Sequence, residues 1–265
     1  MKKLCTAVVS AAMVGSVFAA EALNPAKVAD FTGWTASAKD IENGVRITST
    51  KYPSVTLKSI KSINVDLKKK YRISCEYRIA PGSKSTAMLY FAPVCYDKTG
   101  KEIASSTQYC CDGTQTVLAA PAKKGDKKIL IKDGKKWFVQ WGYAAFNVKA
   151  DLSDLPNSDL VGIAAVKQNG DVWEIALKTP LVQDYPAGTS VREQRAGATY
   201  RYMFYAAPKT EWTKFTRVLQ GAMRENVNGY TNAWRLGTVK GGIIFFTNGK
   251  PADIELRNIS LVEEK

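Results

Sequence analysis

The sequence predicts an all-β protein, a β-sandwich interrupted by a small β-barrel-like insert, and three observations carry that expectation. Short runs rich in β-branched and aromatic residues recur along the chain, several of them alternating with period two. Turn signals such as Ala80-Pro81-Gly82, Asp97-Lys98-Thr99-Gly100 and Cys111-Asp112-Gly113 separate these runs. No long amphipathic helical pattern is present, and Asp151 to Asp159 offers a turn or two at most. Many short strands with frequent turns describe a sandwich or a barrel.

The first 22 residues read as a signal peptide. Met1-Lys2-Lys3 is a short positive start, Leu4 to Phe18 is an uncharged apolar run, and Ala19, Ala20 and Ala22 supply small residues for cleavage. The run is shorter than the roughly 20 apolar residues of a membrane span. Cys5 stands at its start, the wrong place for a lipoprotein anchor. The expected product is periplasmic or secreted.

Residues 23–117 read as the first part of the sandwich. Its strands are Gly44 to Ser49, Ser54 to Leu57, Tyr71 to Ile79 and Ala87 to Tyr96. Residues 118–193 change texture and form the expected insert. A lysine-rich opening, Lys123-Lys124-Gly125-Asp126-Lys127-Lys128, leads into Ile129-Leu130-Ile131, and Asn169-Gly170 signals a hairpin between Val161 to Val166 and Val172 to Leu177. Trp137, Trp141 and Trp173 are expected to build the insert's small core. Residues 194–265 return to longer strands, Thr199 to Tyr205, Thr213 to Leu219, Gly242 to Thr247 and Ala252 to Val262. Trp34 and Trp212, each followed by strand-like sequence, are expected in the core.

Composition narrows the chemistry. The chain has no histidine, which excludes serine-histidine and cysteine-histidine catalysis and histidine-bearing zinc sites. Any catalysis would have to use carboxylates, Tyr, Lys or Arg. The net charge of +14 favours polyanions, and export shifts that preference from nucleic acid to acidic glycans, anionic lipid or cell wall. No nucleic-acid reader motif stands beside the lysines, for which a solvated face is the plainer account. Four cysteines remain after cleavage: Cys75, Cys95, Cys110 and Cys111. An even number in an oxidising compartment suggests disulfides, with Cys110 and Cys111 going to different partners; the alternative is small buried thiols.

The flanking strands carry a resemblance. Phe31-Thr32-Gly33-Trp34, Gly44-Val45-Arg46-Ile47, Tyr71 to Arg78, Tyr96 to Ile103, Glu211-Trp212-Thr213-Lys214-Phe215 and the closing run Ala252 to Leu261 come in an order that resembles the galactose-binding-like carbohydrate-binding modules of bacterial cellulases and xylanases. The resemblance spans about 165 residues on either side of the insert. It implies a jelly-roll sandwich and polysaccharide binding. Those modules often close on paired aspartates, one of which helps hold structural calcium. Arg257-Asn258 stands there in this chain, so no cofactor is expected.

Sugars stack their C–H faces on flat rings while polar side chains satisfy the hydroxyls. Asn228 to Gly237 best fits that need, with Tyr230, Asn232, Trp234 and Arg235 as candidates; the alternative for Trp234 is a plug at one end of the core. Arg195, Tyr200 and Tyr202 form a second group, and a continuous strand would put Tyr200, Tyr202 and Phe204 on one face. Asp253 and Glu255 share a strand face as glycosidase carboxylates do, without that class's third acid. Asp151, Asp154 and Asp159 are oxygen donors in a polar loop that could hold a hard cation. The reading is a non-catalytic, exported protein that binds acidic or plant/algal-type polysaccharide. The alternatives are a histidine-free polysaccharide lyase or glycosidase, and an envelope protein that binds another protein.

Overall fold

The computed structural model describes residues 22–33, 38–49, 55–197, 200–223, 232–248 and 250–264. Two six-stranded antiparallel sheets pack face to face. The first runs Thr213–Gln220, Lys70–Ile79, Ala252–Glu263, Gly44–Ser49 and Ala38–Ile41, with Ala22–Leu23 beside the third of these. The second runs Phe204–Ala206, Met88–Tyr96, Lys240–Asn248, Thr56–Ser59 and Phe31–Gly33, with Ile63–Asn64 also on the central strand. Each sheet is completed by strands from both ends of the chain. Neither flank could therefore bury its apolar face alone.

Period-two alternation builds these strands. In Lys70–Ile79 the inward residues Tyr71, Ile73, Cys75 and Tyr77 are buried. The outward Glu76 and Arg78 instead join an ion-pair ladder with the neighbouring strand: Arg257 with Glu76 and Arg78 with Glu255, both at 2.8 Å. Arg46 extends the ladder, donating from Nε and Nη2 to the two carboxylate oxygens of Asp253 at 2.7 and 2.8 Å. The two acidic residues that share a face are thus committed to structural pairs. Trp212 also lies on this outer face and not in the core, with the Arg78 and Arg257 guanidiniums over its ring at 4.4 and 4.0 Å, whereas Trp34 lies outside the described residues.

The core between the sheets is aromatic at its centre. Phe91 stacks on Phe245 at 4.5 Å, and Phe204 on Phe215 at 4.0 Å. Cys75 and Cys95 belong to this core, whereas Cys110 and Cys111 lie in the segment leading out of it. All four are free thiols, which corrects the expectation of disulfides. Burial pushes the Cys75 and Cys95 thiols up, so both pack as small neutral hydrophobes.

Residues 116–195 supply a third sheet, ordered Lys128–Ile131, Val172–Leu177, Leu160–Asn169, Gly142–Phe146, Ser190–Arg195 and Thr116–Val117. The two ends of that order meet, because the Ala119 N–H donates to the Leu130 carbonyl at 2.8 Å and the Lys132 N–H to the Val117 carbonyl at 3.1 Å. Ile129, Ile131, Phe146, Ile163, Ile175 and Val191 fill a hydrophobic cluster separate from that of the two packed sheets. Trp137 is buried there and Trp173 packs against it, as expected. The hairpin forms with Asn169 opposite Val172, so its two-residue turn is Gly170-Asp171, one residue later than the Asn-Gly signal. Contacts through the segment that precedes this sheet tie it to the rest. The buried Gln108 exchanges hydrogen bonds with the Leu236 backbone at 2.7 and 3.2 Å, and the Asn157 N–H donates to the Thr107 carbonyl at 2.8 Å.

Candidate functional site

The loop favoured by the sequence turns inward where it is described. Tyr230 lies outside the described residues, and Asn232 is exposed, its carbonyl accepting from the Gln220 N–H. Trp234 is 0% exposed, edge-on to Tyr71 at 5.5 Å. Its ring sits so close to Gly241 that a Cβ there would lie 2.5 Å from it. A ring covered on all sides has no face to offer a sugar, so Trp234 plugs the core. Arg235 is buried as well and donates from Nη1 to the Ile103 carbonyl at 2.6 Å. Both residues correct the expectation of ligand contact, for the same reason of enclosure.

Tyr200 and Tyr202 cover part of the outer face of the second sheet, packed against Ala92, Val94 and Ile244. Of the strand expected from Thr199 to Tyr205, the described residues form only Phe204–Ala206, so Tyr202 and Phe204 part company. Phe204 joins the core, while Tyr202 meets Tyr90 at 4.8 Å and Phe246 at 6.2 Å. Tyr205, 50% exposed, stacks on Tyr90 at 5.5 Å and completes a small aromatic platform. Burial, then the Glu102 carboxylate, push the Tyr200 phenol up to about 12.

Arg195 stands at a different place, and around it the structure assembles an open cleft of about 540 Å³ lined by Tyr109, Phe138, Gln140, Trp141, Ala196 and Gly197. Trp141, expected in the core of the insert, is 66% exposed, and Phe138 is 50% exposed. The cause is local. The Gly142 N–H closes a tight turn onto the Val139 carbonyl at 3.1 Å, and Trp141 adopts a left-handed φ of 60°. A Cβ at Gly142 would meet the Phe138 carbonyl oxygen at 2.4 Å, so only glycine fits there. A bulky residue with positive φ is an outlier that costs about 1–3 kcal/mol and persists only where its surroundings hold it. Here the Ala196 N–H donates to the Trp141 carbonyl at 2.9 Å.

Glu193 is the fastener. Its side chain is fully enclosed, and a buried carboxylate is stable only when paired. Oε1 accepts from Arg195 Nε at 2.8 Å and Oε2 from the Phe138 N–H at 2.8 Å, so one carboxylate fixes both the arginine and the aromatic loop. The Arg195 guanidinium also lies over the Phe138 ring at 5.0 Å. The Tyr109 carbonyl accepts from the Arg195 N–H at 2.9 Å, which sets the third wall. Cys111 lies in the same corner, its thiol pushed up to about 12 by burial and then by Glu193, and so neutral at physiological pH.

The acidic loop of the third sheet is dispersed and does not converge. Asp154 pairs with Arg192 at 2.6 Å, Asp159 accepts from the Tyr185 hydroxyl at 2.5 Å, and Asp151 accepts from the Ser153 N–H at 3.0 Å. Among the described residues no group of three or more acidic or cysteine side chains is placed to hold a metal ion.

Arg195 is legible in the sequence by its polar-aromatic neighbourhood, whereas Trp141 reads there as part of the insert's core and Phe138 has no assignment. The signal available was Trp137-Phe138-Val139-Gln140-Trp141-Gly142, an aromatic run too dense for one strand face and closed by glycine. Set against family models, curated proteins and solved structures, the chain matches none of them.

Proposed function

We propose that this chain is an exported, non-catalytic carbohydrate-binding protein that holds its ligand in the cleft of Trp141, Phe138, Tyr109 and Arg195. The observation that carries the reading is the Trp141 indole, held out in a strained backbone conformation when collapse onto the core would bury it. A flat exposed ring beside a fixed arginine, a glutamine and a tyrosine is what stacking plus hydroxyl recognition requires. Export rests on the pattern of Met1 to Ala22. The non-catalytic reading is supported by Glu193 in the cleft and by Asp253 and Glu255, the paired acids of the closing strand, each of which sits in an ion pair that holds structure.

Affinity electrophoresis of the mature protein through gels containing neutral or acidic polysaccharides tests this reading. The expected result is retardation by at least one glycan, lost in Trp141→Asn with the melting temperature unchanged. Asparagine tolerates a left-handed backbone, so this variant removes the ring without burdening the turn. Equal retardation of wild type and variant, or none for either, overturns the assignment. In the second case the exposed Phe138, Val139 and Trp141 would belong to a protein-binding surface. Release of reducing or unsaturated ends would instead mark an enzyme.

A further inference from the structure

We infer that the cleft takes an anionic sugar unit, its ring on Trp141 and its carboxylate or sulfate against Arg195 and Lys136; this rests on the glycan-binding reading above. The aromatic cleft is one half of a longer depression. A second open hollow, of about 430 Å³, adjoins it and shares Tyr109 and Arg195, its other walls including Cys111, Asp112, Thr114 and Lys136. One half is aromatic, the other polar, and Arg195 stands on the boundary.

The arginine is prepared for an anion. Its Nε is taken by Glu193 and one face rests on Phe138, which fixes the plane of the guanidinium. Neither Nη1 nor Nη2 hydrogen-bonds another described residue, leaving an edge of parallel N–H donors of the kind that grips carboxylate or sulfate bidentately. Lys136, exposed and in no ion pair among the described residues, brings its ammonium over Gly113, 2.7 Å from where a Cβ would stand, on the wall of the same hollow. Glu193 is enclosed and neutralised by the arginine it orients. Asp112 is the carboxylate that opposes an anion, so the preference is moderate. The chain's net charge of +14 acts in the same direction at longer range. A neutral sugar would leave the Nη donors and the ammonium to water.

Isothermal titration of the mature protein with three oligosaccharide probes decides this: a neutral galactan, an oligogalacturonate and a sulfated galactan. At low salt the expected result is binding of one or both anionic probes about tenfold tighter than the neutral one, with the tighter of the two naming carboxylate or sulfate as the group read. Lys136→Gln should cut anionic affinity about three- to fivefold and leave the neutral probe unchanged. Trp141→Asn should abolish binding of all three. Equal affinity for neutral and anionic probes, with Lys136→Gln silent, overturns the anion assignment; loss in Trp141→Asn would then still uphold the glycan reading. If Trp141→Asn changes nothing, the glycan reading itself fails.

Discussion

Trp234 and Trp141 are the same side chain in opposite situations. Trp234 enters the two packed sheets beside Gly241, loses all its exposure and carries no accessible face. Trp141 ends a loop of the third sheet and keeps 66% of its surface in water at the expense of a left-handed backbone. The first arrangement is what hydrophobic burial alone produces. The second works against burial and is held by Glu193, Ala196 and the Gly142 turn. The contrast teaches that aromatic density in the sequence does not tell which ring faces water: enclosure decides Trp234 and a strained turn decides Trp141.

Trp234→Ala should give the largest effect. Removing a fully enclosed ring costs about 3–5 kcal/mol, read as a lower midpoint in denaturant or heat, while the folded fraction keeps its glycan affinity. A specific loss of affinity with unchanged stability would break the comparison by returning Trp234 to the binding surface. Next comes Glu193→Ala, which strands Arg195 and frees the Phe138 N–H; a loss of about 1.5–3 kcal/mol in stability together with weakened binding is expected. Unchanged binding there would mean that the cleft is not fastened by this carboxylate.

Acid should act on the two-sheet region. The hydrogen bond and charge of Arg46 hold the Asp253 carboxyl below its ordinary range, and Arg257 does the same for Glu76. A depressed folded-state value means that the unfolded chain binds protons first. The stabilisation is therefore complete above the ordinary carboxylate range near pH 4 and is lost as pH falls through the lower folded values. Melting temperatures that decline below about pH 4, less steeply in Asp253→Asn, would agree with this; a flat profile would not. Tyr205→Ala should do least, shifting stability by under about 0.5 kcal/mol and leaving cleft binding intact. A strong loss of glycan affinity there would move the ligand to the Tyr90–Tyr202–Phe246 platform.

Much of the frame was legible because strand alternation is a local code. Tyr71, Ile73, Cys75 and Tyr77 point inward at every second position, and that pattern needs no knowledge of the partner sheet. The middle segment was legible for the same reason, through Ile129-Leu130-Ile131 and the hairpin before Val172. The candidate site was less so. Trp212, followed by strand-like sequence, and Trp141, inside the middle segment, read as core residues, yet two arginines hold one and a strained turn lifts the other. Tyr200 and Tyr202 were paired with Phe204 on the assumption of a continuous strand, and the chain before Phe204 instead folds over the sheet.

The sequence by itself determined the all-β class, the positive charge, the lack of histidine chemistry and the succession of strands, since all of these depend on composition and on neighbours two residues apart. Only the tertiary structure decided which aromatic rings face water, which carboxylates are already paired with arginines and that Cys75, Cys95, Cys110 and Cys111 are free thiols. Those outcomes depend on residues distant in the chain, such as Glu193 reaching Phe138 and Gly241 receiving Trp234, and no local pattern encodes which distant group will arrive.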